Sequence, residues 1–265
     1  MLSTITSITM LTVECFFSQP FVIQRQNASP SFDKTKYLSI IGKLIQLYRT
    51  RPDIAYAVNR LSTRSSKCSD KVYSASKRVV RYLKFTRDLG ITFKPGSAES
   101  DEAVRLVAWA DAAYCVHADS KSHSGICFAL GEDNGKFMST SKKQSTVTMS
   151  SCESELGGAV EATKSIIWLR DMLDFFDQPQ REPTTLFADN TSMITLASNH
   201  SGQSKRMKHS MQKIHFMLEQ VHNSLVRLAY LRTDDHTADI LTKPLPPLIH
   251  WHHVGPLLWD TPAIA

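Results

Sequence analysis

The sequence predicts an α/β fold, a mixed sheet flanked by helices and preceded by a small basic helical segment. Three observations point there. Between Tyr37 and Leu83 apolar residues recur at the three- and four-residue spacing of helix faces. From Leu106 the period changes to short apolar runs separated by turn-like residues, as strands require. After about Ser150, helical and strand-like stretches alternate, the order of an α/β domain whose sheet is mixed. The 265 residues, 42% apolar and 21% charged, suit a soluble globular chain with a sizeable core.

Residues 1–36 read as a poorly defined leader, with Ser and Thr among the apolar residues and Pro20 and Pro30 as punctuation. No basic region opens it, so a secretory signal is not expected. No stretch approaches the ~20 apolar residues of a membrane span. Residues 37–96 read as three helices. Tyr37, Ile41, Leu44 and Tyr48 stripe the first. Pro52 suits the first turn of the second and Asp53 the positive end of its dipole. Ser69 is placed to cap the third, with Val72, Ala75, Val79 and Tyr82 facing inward. Residues 97–104, acidic and small, read as a linker.

In the second half, Leu106–Ala110, Gly125–Leu130 and Lys136–Ser139 read as a three-stranded meander. A long helix is expected from Ser150 to Phe176, with Gly157-Gly158 as a flaw that close packing on the sheet would explain. Thr184–Ala188 and Leu225–Leu231 complete five strands, with helices at Ser192–Ala197, His209–Val221 and Thr237–Thr242. Residues 246–265 read as a tail, and its His250, His252 and His253 as exposed. His236 reads as part of a surface loop, Trp109 and Trp168 as core, and Cys152 as an inert thiol. Five scattered cysteines without CxxC spacing suggest reduced thiols and an intracellular setting, cytoplasmic or nuclear.

The net charge of +6 favours a polyanionic partner. Arg78, Arg81 and Lys84 on the third helix, Lys142 and Lys143, and the loop bearing Lys205, Arg206 and Lys208 are the candidate phosphate contacts. The chemistry lies with four acids. Asp111 and Asp189 end apolar runs, Glu155 follows Glu153 in the first turns of the long helix, and Asp239 begins the last one. If the two strands are neighbours, both aspartates meet at the sheet's C-terminal edge. Acids gathered there resist ionising unless a cation holds them, and carboxylate oxygens without His or Cys suit Mg²⁺ or Mn²⁺.

Several stretches are longer than such reasoning needs. Trp109-Ala110-Asp111-Ala112, Ser150-Ser151-Cys152-Glu153-Ser154-Glu155, Phe187-Ala188-Asp189-Asn190 and Ala238-Asp239-Ile240-Leu241-Thr242-Lys243-Pro244-Leu245 resemble the ribonuclease H domain of copia-type retrotransposon polyproteins. Thr50-Arg51-Pro52-Asp53-Ile54-Ala55-Tyr56 and Arg81-Tyr82-Leu83-Lys84 resemble the segment joining reverse transcriptase to that domain; Lys142-Lys143-Gln144-Ser145-Thr146 and Ile167-Trp168-Leu169-Arg170 fit as well. The resemblance runs from about Tyr37 to Pro246. It implies a ribonuclease H-like five-stranded fold over residues 105–245 that cleaves the RNA strand of RNA–DNA hybrids with two Mg²⁺ ions, Mn²⁺ being the substitute. It also implies partners: the hybrid or another nucleic acid, with no membrane, and the remainder of a Pol polyprotein. By position, Asp111, Glu155, Asp189 and Asp239 match the family's metal-holding set; Glu155 is preferred to Glu153 because the family's Glu precedes a large apolar residue, here Leu156. Two departures stand out: Ala113 replaces a second Asp, and Lys208-His209-Ser210-Met211 replaces Lys-His-Ile-Asp. With no Tyr-x-Asp-Asp-type motif before the helices, reverse transcription by this chain alone is not expected. The alternative reading is a non-catalytic nucleic-acid-binding relic, with a poorly folding product of a decaying reading frame as a third.

Overall fold

The computed structural model describes residues 33–94, 104–198 and 210–259. Residues 1–32 of the expected leader, most of the linker and the basic loop with Lys205, Arg206 and Lys208 lie outside them, while the last leader residues, Asp33 to Lys36, instead cap and open the first helix. Three helices come first: α1 (Lys34–Leu47), α2 (Ala55–Ser62), entered through a 3₁₀ turn at Pro52–Ile54, and α3 (Asp70–Phe85). Asp33 and Ser69 cap α1 and α3 by accepting backbone N–H groups, the second as its sequence position predicts. The stripes read from the sequence meet. Tyr37, Ile41, Leu44, Ile54, Val58, Leu61, Val72 and Val79 form one buried cluster, and the Tyr37 hydroxyl donates to the Leu61 carbonyl at 2.7 Å.

The sheet holds β1 (Leu106–Ala113), β2 (His123–Leu130), β3 (Met138–Lys143), β4 (Thr184–Ala188) and β5 (Val226–Tyr230) in the order β3-β2-β1-β4-β5. The first three pair antiparallel and β4 and β5 join parallel, so the sheet is mixed and five-stranded, as expected. The third strand lies later than its predicted span of Lys136–Ser139. Lys136 is instead buried before it, its Nζ over the Trp109 ring at 4.0 Å and donating to the Glu132 and Asn134 carbonyls. An apolar stem can be buried when its ammonium finds such partners, so a lysine there mimics a strand residue in the pattern.

Alternation divides β1. Leu106, Ala108 and Ala110 face a core shared with α4 (Ser151–Phe175), α5 (Thr191–Ser198) and α6 (Met211–His222), through Leu156, Ala159, Ile166, Met193, Leu196, Ile214 and Met217. Gly158 turns toward β1 here; an added Cβ would sit 3.6 Å from the Asp111 carbonyl, ordinary contact that reflects close packing of α4 on the sheet. Val107 and Trp109 face the opposite side, covered by the 3₁₀ turn Thr237–Leu241 and by α7 (Pro247–Leu258).

Two expectations are overturned, one in this layer and one on α4. Residues 246–265 do not read through as a tail: Val254, Leu257 and Leu258 of α7 are buried against Trp109, and His250 and His253 are buried with them. Burial pulls both imidazoles down to about 4. Trp168, expected in the core, is 54% exposed on α4, because the buried stripe there runs through Ala162, Ile166 and Leu169.

One buried polar knot ties the helical segment to α7. Arg51 grips Asp53 with Nε at 2.9 Å and Nη2 at 2.7 Å, and its Nη1 donates to the Thr86 carbonyl at 2.7 Å. The Tyr82 hydroxyl donates to Asp53 Oδ2 at 2.7 Å and stands 3.3 Å from His250 Nε2. The Arg51-Pro52-Asp53 stretch thus encodes a clamp. Asp53→Ala leaves a buried guanidinium without its counter-charge and is expected to cost about 3–5 kcal/mol in urea unfolding of the intact chain. An unchanged midpoint would show that the knot carries no stability.

Candidate metal centre

Strand register builds the site. β1 and β4 run parallel with Trp109 opposite Phe187, so Asp111 and Asp189 fall level at their C-terminal ends. The Trp109 and Phe187 rings stack at 5.7 Å behind them. Glu155 arrives from the first turns of α4, and its Oε1 accepts the Ala112 N–H at 3.2 Å. Each of Asp111, Glu155 and Asp189 offers a carboxylate oxygen within 4.8 Å of the others. Three of the four acids singled out in the sequence therefore converge.

Asp239 stands beside them on different terms. Its Oδ2 is 2.7 Å from Lys243 Nζ, while its Oδ1 is buried and has no hydrogen-bond partner among the described residues. Burial and the neighbouring Asp111 raise its carboxyl to about 7, against the opposing pull of Lys243. Glu155 is pushed well above the ordinary range, first by burial and then by the charges of Asp111 and Asp189. Burial pulls the Lys243 ammonium down, but its bond to Asp239 and the surrounding aspartates outweigh that and raise it.

Helix phase separates Glu153 from Glu155. Two positions differ by roughly 200° around a helix. Glu153 turns away: its Oε2 accepts the Met149 N–H at 2.7 Å, its Oε1 the Ser210 hydroxyl at 3.0 Å, and its own N–H donates to the capping Ser150 Oγ at 3.2 Å. This is a capping-box variant that pins the start of α4.

The donors around the acids were not singled out in the sequence. Thr242 Oγ1 donates to Asp111 Oδ2, and Thr233 Oγ1 donates to Asp189 Oδ2 at 2.8 Å. Lys243 had one available signal, its position four residues after Asp239. His236 is fully buried instead of lying in a surface loop, with Nε2 3.2 Å from the Phe187 carbonyl and Nδ1 unpartnered among the described residues. Cys152 fits the inert reading, since burial and then Glu155 and Glu153 raise its thiol.

The basic residues divide. Lys142 is exposed and Lys143 pairs with Asp119 at 2.6 Å. Both line an open groove of about 500 Å³ with Gln144, Gly157, Lys164 and Lys213. Gln144 is fixed in its lining, donating to Ser124 Oγ at 2.8 Å and to the Ser154 carbonyl at 2.9 Å. On the helical segment, Arg81 and Lys84 are exposed and rim an apolar groove between α1 and α3; Arg78 is half-buried and does not line it.

Comparison with known proteins gives these findings. No family model matches. The retrovirus-related Pol polyprotein from transposon RE2 of Arabidopsis thaliana is 36% identical over 214 residues, 80% of this chain and 14% of that one. The corresponding polyprotein from transposon TNT 1-94 of Nicotiana tabacum is 31% identical over 214 residues, 80% and 15%. The secreted RxLR effector protein 161 of Plasmopara viticola is 40% identical over 137 residues, 50% of this chain and 90% of that one. The chain thus spans 14–15% of the length of these two polyproteins. Among solved structures, an RNase H1 isolated from compost aligns at a TM-score of 0.41 with 13% identity, covering 52% of this chain and 93% of that one. A foamy viral protease-reverse transcriptase in complex with RNA/DNA hybrid aligns at 0.47 with 14% identity, covering 78% and 26%.

The raised carboxyls carry a linkage consequence. A carboxyl whose folded value exceeds its unfolded one stabilises the fold below the unfolded value, and that contribution is lost as pH rises through the folded one. For Asp239 this window runs from the ordinary 3.8 to about 7. Chelator-treated protein is expected to lose thermal stability as pH rises through that window. Mn²⁺ should oppose the loss, and Asp239→Asn should flatten it. A melting temperature that rises across the window would contradict this electrostatic picture.

Proposed function

The chain belongs to the retrovirus-related Pol polyproteins of copia-type transposons, and on that premise we propose that its ribonuclease H-like domain cleaves the RNA strand of RNA–DNA hybrids with divalent cations bound at the acid cluster. The observation that carries this reading is the convergence of Asp111, Glu155 and Asp189 at the C-terminal edge of two parallel strands. Carboxylates this close are mutually destabilising without a cation, and the Asp239 Oδ1 beside them, without a partner among the described residues, fits the same need. The donor set is all oxygen, which suits Mg²⁺ or Mn²⁺.

When bound, such ions supply charge stabilisation at the attacking and leaving oxygens of a phosphodiester. The protein's part is to hold the acids. The Ala112 N–H orients Glu155, the Thr242 hydroxyl orients Asp111, and the Thr233 hydroxyl orients Asp189. Lys243 balances part of the charge on Asp239. Asp111, Glu155 and Asp189 would hold metal directly, and Asp239 would complete the set. The groove lined by Lys142, Lys143, Lys164 and Lys213 supports a phosphate track along the duplex, with Arg81 and Lys84 as a second basic site; Arg78 is the weakest member of that group. Selectivity for RNA would come from contacts to the 2′-hydroxyls.

The test is a labelled RNA–DNA hybrid incubated with Mg²⁺, with Mn²⁺ and with EDTA. Cleavage with either ion and none with EDTA is the expected result. Asp111→Asn, Asp189→Asn and Glu155→Gln should each abolish cleavage in folded protein. Glu153→Gln should keep turnover and lose about 1 kcal/mol of stability through its capping role. Metal-dependent binding without cleavage by the unaltered chain would instead establish a non-catalytic relic.

A separate expectation concerns the groove. Replacing Lys142, Lys164 and Lys213 with Ala should flatten the salt dependence of hybrid binding. The log–log slope should fall by about 0.9 for each phosphate that the protein no longer neutralises, taking the B-form value as the guide. An unchanged slope in fluorescence titrations would remove the groove from the binding surface.

A further inference from the structure

One buried polar chain has no part in holding the acids directly. Arg60 on α2 donates from Nη1 to His117 Nδ1. His117 Nε2 lies 3.0 Å from His123 Nδ1, and His123 Nε2 lies 2.8 Å from Ser141 Oγ. Ser141 Oγ donates to the Leu241 carbonyl at 2.6 Å. His117, His123 and Ser141 are all buried, His123 completely, and His123 and the Tyr56 ring of α2 form a T-shaped pair with centroids 5.1 Å apart.

The two ends of this chain determine every proton in it. A guanidinium can only donate and a carbonyl can only accept. His117 Nδ1 must therefore accept, which puts its proton on Nε2, directed at His123 Nδ1. The proton of His123 is then on Nε2 and is given to Ser141 Oγ, whose own hydrogen goes to Leu241. Each imidazole is neutral and of one tautomer; a second proton on either would set donor against donor. Burial is the first reason these rings resist protonation, lowering His117 to about 4 and His123 to about 3.

What lies at the accepting end matters. Leu241 sits between Asp239 and Thr242, the residue that donates to Asp111. This short turn rests directly on β2 at Gly125, the residue opposite Asp111 in the sheet register. A Cβ there would meet Leu241 Cβ at 2.6 Å, Thr242 Cγ2 at 2.7 Å and the Ala238 carbonyl at 2.8 Å. The turn has no room to approach further, and the Ser141 bond holds it from moving away.

We propose that Arg60, His117, His123 and Ser141 are positioning residues, an oriented hydrogen-bond chain through which the helical segment sets the place of the Asp239–Thr242 turn at the acid cluster. Among the described residues none of the four hydrogen-bonds to an acid of the cluster. The effect on catalysis rests on the ribonuclease H reading above, whereas the effect on the turn does not. In a chain cut from its helical segment, the turn would lose its outer anchor.

The test uses the full chain with Ser141→Ala, Ser141→Thr and Arg60→Met. Amide hydrogen exchange is read at Asp239 and Thr242, whose N–H groups donate to the His236 and Asp239 carbonyls, and at the core residues Leu156 and Ile166 of α4. Ser141→Ala and Arg60→Met should speed exchange in the turn by up to about tenfold, the size of one buried hydrogen bond, and leave the α4 core unchanged. Ser141→Thr should restore protection. In hybrid cleavage kcat should fall by a similar factor with KM unaltered. Unchanged exchange in the turn, or an equal rise in the turn and the α4 core, would overturn the proposal. Absence of cleavage by the unaltered chain, with the exchange pattern as expected, would reject the ribonuclease reading and leave the positioning chain standing.

Discussion

Parallel pairing of β1 with β4 is the interaction on which the rest of this structure depends. Setting Trp109 opposite Phe187 brings Asp111 and Asp189 level, two residues further along each strand. A slip of one residue would send one aspartate to the other face, because side chains alternate along a strand. Parallel neighbours need a long connection, and here it runs through β2, β3 and α4, the helix that carries the chain from β3 across to β4 beside β1. It packs close enough at Gly158 to bring Glu155 to the same edge. The pairing that closes the core therefore also assembles the acids.

Gathering like charges is costly, and the surroundings are arranged around that cost. Donors from three different segments reach the carboxylates: the Ala112 backbone, Thr242 and Thr233. Lys243 neutralises part of what remains. Glu155 and Asp239 nevertheless stay above their ordinary values, since burial removes the water that would support their charge. This residual electrostatic cost is what distinguishes the cluster from a set of structural ion pairs and makes it a candidate cation site.

The second face of the sheet gives the helical segment its purpose. Ala55 of α2 joins Trp109, Cys127 and Leu257 in one apolar cluster, and the Arg51–Asp53–Tyr82 knot reaches His250 of α7. The Arg60 chain then runs from α2 to the turn that bears Asp239. Segments far apart in the chain thus bear on one short turn, and that turn bears on Asp111.

Much of this was legible in the residues themselves. Periodicity placed the helices ahead of α7 and four of the five strands, because the patterns that bury one face of a helix or both faces of a strand are local properties, whereas α7 was read as tail. The apolar runs ending in Asp111 and Asp189, and the helical position of Glu155, marked the candidate site for the same reason. Lys136, Trp168, His236, His250 and His253 were misread because burial depends on what packs above a residue, while His252 is exposed as read. A buried lysine over Trp109 imitates a strand residue, and an exposed tryptophan imitates core. The convergence of three acids, the orphaned oxygen of Asp239 and the tautomers of His117 and His123 were decided only by tertiary structure. Each depends on groups from distant parts of the chain meeting within hydrogen-bonding or coulombic range, and no local pattern carries that distance.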